Sequence, residues 1–507
     1  MESHILAIDA GGTAIKVALY DVEGREVAAA GQSLRPLTPA PGYNERDPDV
    51  MWDAICRSVG QVLQKSAVRP DRIAVIGLTG YGNGLLLTDA AGRPVRHAIL
   101  SSDQRAAAIV AQWRDDNLEA GQFVLTNQRL FAGKTLSLLA WLAQHEPATL
   151  ARAAHVLSCK DYIRYRLTGR FNLEVSDASS GGFLDHAGRS FTPGVLDHFG
   201  LGAHAHLFTP TIEPLALAGQ LTAESAAAMG LARGTPVSAG YADGPAMLLA
   251  LGIVDQSLLN VVAGTWGLNQ LVTHSPVTDG SILGCTLGAR EGEYILIDGG
   301  VTSASTFEWF VDMLRPAGAE AAPHDWYNGE IAKLERNEPP VYFLPYVNGR
   351  LDMPEARGSF VGLSAWHRLP HMARAVFEGV AMEHRQHVEK LLAGRPRPSA
   401  VRFAGGAARS RPWLEIFAAT LDLPVELSTA SELGALGAAI IAAVGAGLHP
   451  DLETAVARMT RVGSRIEPDA GHVQDMARRY AGFSFLRNRF DTMWAELQAH
   501  AVPPLPS

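Results

Sequence analysis

Short apolar runs that alternate with long amphipathic or alanine-rich stretches constrain the fold of this chain more than any other feature of its sequence. Most of these runs end in a glycine-rich turn, and the stretches between them have the length and periodicity of helices. This alternation is typical of an α/β fold, in which ligands bind where the strands end. The predicted strands are Ile5–Ile8, Ile73–Leu78, Pro236–Gly240, Leu258–Val262, Tyr294–Ile297, Val401–Phe403 and Pro424–Leu427.

The length of 507 residues predicts two domains, with three as the alternative, each large enough for a full core. Both halves of the chain open with a strand that leads into a turn of small residues, at Asp9–Thr13 and at Ala263–Gly267. This similarity predicts a duplicated architecture with a cleft between the halves. We place the hinge at Leu251–Gln256, which gives predicted domains 1–251 and 252–507. The proline-rich tail at Pro503–Pro506 is expected to be frayed.

The composition, with 47% hydrophobic and 19% charged residues, is that of a compact globular protein. A net charge of −9 argues against nucleic acid or an anionic membrane as the main partner. The longest apolar stretch, Pro245–Val254, is too short to cross a bilayer, and the first residues lack the pattern of a signal peptide. Three scattered cysteines argue against a disulfide framework or a zinc cluster. We therefore expect a cytoplasmic protein.

A strand, a carboxylate, a glycine turn and a second strand follow one another in the segment Ile5–Asp21. Gly11 and Gly12 would let the backbone turn tightly enough for its N–H groups to approach a phosphate. Asp9 would then face the metal that accompanies that phosphate. The same turn needs no ligand, so a purely structural hairpin stays open as the alternative.

Asp243 follows the predicted strand Pro236–Gly240 and stands at the start of a predicted helix. This position fits a general base that takes the proton from an attacking hydroxyl, and it fits an ordinary helix N-cap as well. The loop Gly264-Thr265-Trp266-Gly267 offers a hydroxyl and backbone N–H groups that suit terminal phosphate oxygens. An ordinary turn is the alternative there.

The segment Val401–Leu414 predicts a strand, a diglycine turn and a helix start. Without side chains, Gly405 and Gly406 would leave a flat slot against which a planar base could lie. The alternative is a tight turn in which Ser410 caps the helix. The later segment Glu432–Ile440 predicts a helix whose small residues let it pack very close to its neighbours.

Several other motifs are expected to carry no chemistry. Gly133-Lys134-Thr135 resembles the end of a Walker loop, but Gln128 stands where that loop needs a glycine, so we expect a helix start. The chain has no Gly-x-Ser-x-Gly motif, which argues against an α/β-hydrolase. Two histidine pairs lack a clear third metal ligand and are expected to be surface or core residues: His204 with His206, and His384 with His387.

The motifs above occur in one order, and the set as a whole resembles the FGGY family of carbohydrate kinases. The resemblance runs from Ile5 to about Gly447 and rests on the Asp9 turn, Asp243, the Gly-Thr-Trp-Gly loop, the late Ala-Gly-Gly-x-x-x-Ser segment and Gly-Ala-Leu-Gly-Ala-Ala. It implies an α/β fold with two actin-like domains of ribonuclease-H type. ATP and sugar would meet in the cleft between these domains.

The resemblance also implies a role for each matching residue. Asp9 would face magnesium, and Asp243 would be the general base that deprotonates the sugar hydroxyl. The residues implied to bind ATP are Gly11, Gly12, Thr13, Lys16, Gly264, Thr265, Gly405, Gly406 and Ser410. Besides Asp243, the residues implied to contact the sugar are Tyr81, Gly82, Asn83, Asp103 and Arg105. A surface ion pair explains Asp103 and Arg105 almost as well.

Within this family the chain looks most like xylulose kinases, and especially like L-xylulose kinases, in Asn44–Asp47, Ile99–Arg105 and Lys160–Gly169. D-xylulose kinases usually have Gly-Gln-Met-His-Gly after the third strand, where this chain has Gly-Tyr-Gly-Asn-Gly at positions 80–84. This difference argues against D-xylulose as the substrate. The room left by Gly82 would suit another stereoisomer or a longer sugar such as a keto-hexonate.

The predicted activity is transfer of the γ-phosphoryl group of ATP to a primary hydroxyl of a ketopentose or related sugar, with L-xylulose first. Ribulose, erythritol, glycerol and keto-gulonate are the alternative substrates. An actin-like ATPase, either a chaperone or a filament protein, is the rival class, and it would hydrolyse ATP without any sugar. The expected partners are ATP, magnesium and a small sugar, and a homodimer is the common default.

Overall fold

The structure is a computed structural model that describes residues 3–314, 324–336 and 338–500. The proline-rich tail therefore lies outside the described residues. The strands are β1 (His4–Ala10), β2 (Ala14–Asp21), β3 (Glu26–Ser33), β4 (Glu45–Arg46), β5 (Ile73–Gly80), β6 (Leu86–Thr88), β7 (Ala98–Ile99), β8 (His155–Leu157), β9 (Leu173–Glu174), β10 (Leu184–Asp185), β11 (Ser190–Phe191), β12 (Thr211–Ile212), β13 (Leu217–Gln220), β14 (Pro236–Ser238), β15 (Leu258–Ala263), β16 (Gly267–Thr273), β17 (Gly284–Leu287), β18 (Tyr294–Gly300), β19 (Tyr342–Leu344), β20 (Ser359–Val361), β21 (Ala400–Ala404), β22 (Val425–Ser428) and β23 (Val462–Ile466).

Helices connect most of these strands. They are α1 (Pro48–Ser66), α2 (Ala107–Asp115), α3 (Leu118–Thr126), α4 (Thr135–His145), α5 (Pro147–Leu150), α6 (Cys159–Thr168), α7 (Val175–Ser180), α8 (Pro193–His198), α9 (Ala223–Met229), α10 (Asp243–Ala250), α11 (Ser305–Met313), α12 (His324–Ile331), α13 (Leu369–Leu392), α14 (Arg411–Leu421), α15 (Leu433–Gly445), α16 (Leu452–Met459) and α17 (Ala470–His500). None of them, in the part of the chain that the structure describes, has both the length and the apolar character that a bilayer crossing requires.

The chain forms two compact units that are discontinuous in sequence. The first contains residues 1–254, 272–296 and 429–461, and the second contains residues 255–271, 297–428 and 462–507. The last segment of the first unit, residues 429–461, includes α15 and follows residues 297–428 of the second unit in the sequence. The predicted division into 1–251 and 252–507 stays a prediction about the two sequence domains.

A six-stranded sheet in the order β13-β14-β5-β1-β2-β3 forms the centre of the first unit. β1 and β2 are an antiparallel hairpin that pairs Asp9 with Lys16, while β5 lies parallel to β1 on the other side. The inward side chains of these strands, such as Leu6, Ile8 and Ile76, are fully buried in one core. The hairpin turn and the carboxyl ends of β1 and β5 therefore come to the same edge of the sheet.

The second unit repeats this arrangement in the strand order β16-β15-β21-β22-β23. Here β15 and β16 form the antiparallel hairpin, β21 lies parallel to β15, and β22 lies parallel to β21. In both units the last parallel strand pairs with an antiparallel strand: β14 pairs with β13 in the first unit, and β22 pairs with β23 in the second. This equivalent order confirms the predicted duplication.

All seven predicted strands are present with small differences at their ends. The strand predicted at Pro236–Gly240 ends at Ser238, because Gly240 turns the chain with a φ of +85°. A side chain at Gly240 would also lie 2.6 Å from the carbonyl oxygen of Leu78, so both the turn and the close packing require glycine.

The predicted small-residue helix is confirmed as α15, which packs against β1, β5 and α10 within the first unit. A Cβ added to Gly437 would lie 1.9 Å from the carbonyl oxygen of Ala246 on α10. A Cβ on Gly77 of β5 would lie 2.3 Å from the carbonyl oxygen of Ala438. Glycine at these contacts is what lets α15 pack closely against both β5 and α10.

Candidate active site

The first predicted phosphate loop is the turn between β1 and β2. Arg46 is buried and donates hydrogen bonds to the carbonyl oxygens of Gly11 (3.0 Å) and Gly12 (2.5 Å). Thr13 is exposed, and its carbonyl oxygen accepts a hydrogen bond from Leu34. A Cβ added to Gly12 would meet no atom within 4 Å. The carbonyls of the turn are therefore held from one side by Arg46, while the backbone around Gly12 stays open.

Asp9 is the penultimate residue of β1 and lies close to an ion pair between Lys16 and Glu432, whose charged atoms are 2.6 Å apart. Burial raises the pKa of Asp9 to about 6; the charge of Lys16 opposes this shift and that of Glu432 adds to it. A Cβ added to Gly434 would lie 2.2 Å from Oδ2 of Asp9. The Asp9 carboxylate therefore occupies the space that the missing side chain of Gly434 leaves at the start of α15.

Asp243 is the first residue of α10, one position after the N-cap Ala242. Its Oδ1 accepts a hydrogen bond of 2.7 Å from the N–H of Gly244, and the side chain keeps surface open to solvent. The surrounding protein and the negative charges of Asp177 and Asp9 raise the pKa of Asp243 to about 7. Burial is the largest cause of this shift, and the charges of Asp177 and Asp9 add to it.

Gly82 separates Asp243 from a second carboxylate, that of Asp177. A Cβ added to Gly82 would lie 3.7 Å from Oδ1 of Asp243 and 3.5 Å from Oδ1 of Asp177. Oδ1 of Asp177 is buried and has no hydrogen-bond partner among the described residues. Because glycine has no side chain, both carboxylates face the same space beside the backbone of residue 82.

Asp177 belongs to a fully buried cluster of charges in the first unit. Nζ of Lys160 lies 2.9 Å from Asp161, 3.0 Å from Oδ2 of Asp177 and 3.3 Å from Glu174. Arg164 lies 2.7 Å from Asp161. The cluster thus joins two cations to three carboxylates. Its excess negative charge is consistent with the raised pKa values of Glu174 and Asp177, for which burial is the largest cause.

The other residues predicted to contact the sugar follow β5 or lie on a nearby loop. The N–H of Tyr81 donates to the carbonyl oxygen of Ala10, and the ring is buried. Asn83 has a left-handed backbone with a φ of +60°, and its Nδ2 donates to Oγ of Ser180 at 3.2 Å. These contacts bring Tyr81, Gly82 and Asn83 to the edge of the sheet at which Asp9 lies.

Asp103 and Arg105 form a buried pair with many internal partners. The Asp103 carboxylate is fully buried and accepts hydrogen bonds from the N–H of Asn44 and from both the backbone and the guanidinium of Arg105. Arg105 also binds Glu45 at 2.7 Å and lies over the ring of Tyr43. The pair is not at the surface, so that alternative is wrong. The predicted contact with the sugar stays a prediction.

In the second unit, the Gly264–Thr265 loop follows β15, and Thr265 is exposed. Oγ of Ser305 donates to the carbonyl oxygen of Thr265 at 2.9 Å, and the N–H of Ser305 donates to that of Gly264 at 3.2 Å. These hydrogen bonds hold the loop against the start of α11, and neither of them uses the hydroxyl of Thr265.

The diglycine turn of the second unit follows β21. Gly405 has a φ of +99°, and a Cβ there would lie 2.3 Å from the carbonyl oxygen of Ala263. A Cβ on Gly406 would meet nothing within 4 Å, so one side of this turn is open. Ser410 is the N-cap of α14: its Oγ accepts from the N–H of Trp413 and donates to Oδ1 of Asn328. The capping alternative for Ser410 is therefore confirmed.

Sequence reasoning missed Asp177 and gave Lys134 no function. Asp177 lies in a run of small polar residues, Ser176–Ser180, in which one acidic residue among buried serines was the available signal. Lys134 is the N-cap of α4, which confirms the predicted helix start, but its side chain is buried. The histidines are as expected: His206 is exposed, while buried His384 hydrogen-bonds Ser303 and Asn269.

Within the described residues, no group of three or more His, Cys, Asp or Glu side chains is arranged to hold a metal ion. The negative charge of Asp9 nevertheless adds to the raised pKa of Asp243, so the two carboxylates lie close enough to interact. Such a pair suits a cation that takes only one or two protein carboxylates and completes its coordination with phosphate and water.

Comparisons with known proteins identify the family of this chain. Residues 4–250 match the N-terminal domain of the FGGY family of carbohydrate kinases, and residues 259–446 match its C-terminal domain. The L-xylulose/3-keto-L-gulonate kinase of Escherichia coli K12 is 31% identical over 99% of this chain and 100% of its own length. A probable L-xylulose kinase of Pasteurella multocida is 30% identical over 97% of this chain and 100% of its own.

A solved structure gives the same result for the fold. The crystal structure of xylulose kinase from Rhodospirillum rubrum superimposes with a TM-score of 0.88 at 29% identity, over 97% of this chain and 100% of that one. The family models together span most of the chain. The fold class and the enzyme class predicted from the sequence are thereby confirmed: this chain belongs to the FGGY family of carbohydrate kinases.

Proposed function

We propose that this protein transfers the γ-phosphoryl group of ATP to a primary hydroxyl of a ketopentose or related keto-sugar, with L-xylulose as the first candidate. The observation that carries the proposal is the open carboxylate of Asp243 beside the backbone of Gly82. The family and the relatives named as L-xylulose kinases support this substrate class. Gly82 supports it too, because the absent side chain leaves room for the sugar next to the carboxylate.

Asp243 acts as the general base in this proposal. As the sugar oxygen bonds to the γ-phosphorus, the bond from phosphorus to the leaving oxygen of ADP breaks, and the hydroxyl proton passes to the Asp243 carboxylate. A base is most effective when its pKa lies near the working pH, and the raised pKa of Asp243 meets that condition. Asp177, on the other side of Gly82, helps to keep the pKa raised.

The residues proposed to bind ATP are distributed over both units. Gly11, Gly12 and Thr13 belong to the first, and Gly264, Thr265, Gly405, Gly406 and Ser410 belong to the second. Backbone N–H groups of such turns can orient phosphate oxygens without the entropy loss of long side chains. Gly406, which is open on one side, is the proposed platform for the adenine ring.

Asp9 is the residue proposed to hold magnesium, with Asp243 as its neighbour. Burial and, to a smaller extent, neighbouring negative charges raise the pKa of both carboxylates; a divalent cation would compensate that negative charge, so the residues present fit such an ion. When bound with ATP, magnesium neutralises charge that develops on the phosphate oxygens. The Lys16–Glu432 ion pair would keep the Asp9 side chain in place.

ADP release in the presence of magnesium tests the proposal. ATP is supplied with L-xylulose, D-xylulose, the ribuloses, erythritol, glycerol or keto-gulonate, and each reaction is compared with a blank that contains no sugar. We expect release to rise sharply with one keto-sugar. Equal release in the blank and with every sugar would refute the proposed function and would favour an ATPase.

A further inference from the structure

Lys134 is a buried lysine in the first unit whose ammonium group pairs with no carboxylate among the described residues. The residue is 3% exposed. Its Nζ donates to Oε1 of Gln128 at 2.8 Å and to the carbonyl oxygen of Ser180 at 2.6 Å. Both acceptors are neutral, and an ammonium group has three protons to donate. The positive charge of Lys134 therefore has no anionic partner among the described residues, and these two hydrogen bonds use only two of its three ammonium protons.

Burial without an anion is costly for an ammonium group. Burial lowers the pKa of Lys134 to about 7, and the charge of Glu119 opposes this shift only in part. The same unit shows how the fold treats a structural lysine: Lys160 is also fully buried, but it is paired with three carboxylates. Its pKa is raised. The contrast indicates that Lys134 lacks a counter-ion that a ligand could provide.

Further polar atoms near Lys134 are buried and have no hydrogen-bond partner in the described part of the chain. They include Oδ1 of Asn83, Oδ1 of Asn127 and Nε2 of His186. Asn127 and His186 contact each other through Nδ2 and Nδ1 at 3.3 Å. Burial, together with the charges of Lys134 and Arg189, lowers the pKa of His186 to about 3, so this ring is neutral. A polar ligand could satisfy these atoms.

The loop that carries Gly82 also connects this group to Asp243. The N–H of Gly84 donates to the carbonyl oxygen of Gly133 at 2.9 Å, next to Lys134. Asn83 binds Ser180, whose carbonyl oxygen accepts from Lys134. Residues 82 and 84 can be at most about 7 Å apart along the chain. A sugar that faces Asp243 at one end could therefore reach the vicinity of Lys134 with its other end.

We propose that Lys134 binds the carboxylate of an acidic sugar, so that this enzyme accepts a six-carbon keto-aldonate whose far primary hydroxyl faces Asp243. This inference rests on the proposed function and names its substrate class more closely. A carboxylate would give the buried ammonium an anionic partner and a third hydrogen bond. A neutral ketopentose would leave the ammonium group of Lys134 without an anionic partner, as it is in the protein without ligand.

The test compares keto-gulonate with L-xylulose in the wild type and in Lys134→Met, which removes the charge and keeps an unbranched side chain. We expect kcat/KM for keto-gulonate to fall roughly 10- to 150-fold, the range for a lost hydrogen bond to a charged group. For L-xylulose we expect a change of less than about threefold, because the neutral sugar makes no ion pair. Lys134→Arg should keep most of the activity on keto-gulonate.

Lys65→Met is the matched control, since Lys65 is exposed at the end of α1 and donates only to the carbonyl oxygen of Ala29. Melting temperatures show whether each variant folds. The change in melting temperature that keto-gulonate causes without ATP gives a second readout, which should be lost in Lys134→Met. If Lys134→Met does not fold, Lys134→Arg provides the test. A folded Lys134→Arg protein that loses its activity on keto-gulonate and keeps its activity on L-xylulose, although the positive charge is retained, would contradict the inference.

The outcomes separate this inference from the proposed function. An equal loss of activity on both sugars in a folded Lys134→Met protein would overturn the carboxylate site. A wild type that phosphorylates a neutral keto-sugar and neither binds nor phosphorylates keto-gulonate would overturn it too, while the proposed function would stand. A wild type that phosphorylates no sugar at all would refute the proposed function itself.

Discussion

Replacing Asp177 by Asn should move the acidic limb of the pH–rate profile to lower pH. The two Oδ1 atoms of Asp177 and Asp243 lie 3.5 and 3.7 Å from the Cβ position of Gly82. They are thus no more than about 7 Å apart, the sum of these distances, and two charges at 7 Å repel by about 0.6 kcal/mol in water and about 2.4 kcal/mol at an effective dielectric constant of 20. This corresponds to a pKa change of about 0.4 to 1.7.

The limb should move to lower pH because Asp243 acts as a general base. A neighbouring negative charge disfavours ionisation, so the pKa of Asp243 falls when Asp177 becomes neutral. A general base must be ionised, and activity is lost as the pH falls through its pKa. Because Asp243 keeps surface open to solvent, the lower part of the range applies, and we expect the limb to shift down by about 0.5 to 1 pH unit.

The assay is kcat/KM for the sugar from roughly pH 5 to pH 9 at saturating ATP and magnesium, in wild type and Asp177→Asn. Glu174→Gln is the control, since it neutralises a carboxylate of the same buried cluster that also contacts Lys160. Either variant leaves two cations with two carboxylates, so neither leaves an excess charge in the core. An acidic limb that stays in place or moves to higher pH in Asp177→Asn would contradict an effect of the Asp177 charge on the pKa of Asp243. An equal shift in Glu174→Gln would contradict it too.

Three further substitutions test separate parts of the site. Asp243→Asn should lower the rate of ADP release about 100-fold or more while calorimetry still detects ATP binding, and near-normal turnover would contradict the role of Asp243 as the base. Asp9→Asn should raise the magnesium concentration needed for half-maximal activity, so an unchanged magnesium titration would count against a role in metal binding. Gly437→Ala should lower the free energy of unfolding in denaturant by about 1–3 kcal/mol, because its Cβ would lie 1.9 Å from the carbonyl oxygen of Ala246. Gly60→Ala in α1, whose Cβ would meet no atom within 4 Å, should be neutral or stabilising by up to about 1 kcal/mol, and equal losses in both would contradict this account.

The strands and the turns that follow them could be predicted from the sequence because their signals are local. Apolar runs followed by glycine mark β1, β5, β15 and β21, since a buried strand and a tight turn each depend on a few adjacent residues. The motifs at Asp9 and Asp243 could be located in the same way, since each lies near the end of its strand. Their order along the chain was enough to identify the family.

The charges around these motifs depend on residues that are far apart in the sequence. Asp177 and Asp243 both face Gly82, yet nothing near any of the three indicates the other two. The sequence left a surface ion pair open as the alternative for Asp103, whereas the fold buries this residue and gives it internal hydrogen bonds. Whether a charge is buried and what compensates it is decided by the side chains that packing brings around it.

Lys134 illustrates this difference most clearly. Its sequence context predicts a helix start, which is what α4 has, and a lysine at such a position is ordinarily solvated. Only the tertiary structure encloses the ammonium group and surrounds it with neutral acceptors instead of carboxylates. The strands, the glycine turns and the family follow from local sequence patterns. Which charges are compensated depends on the packing of distant segments, because desolvation and ion pairing require three-dimensional proximity.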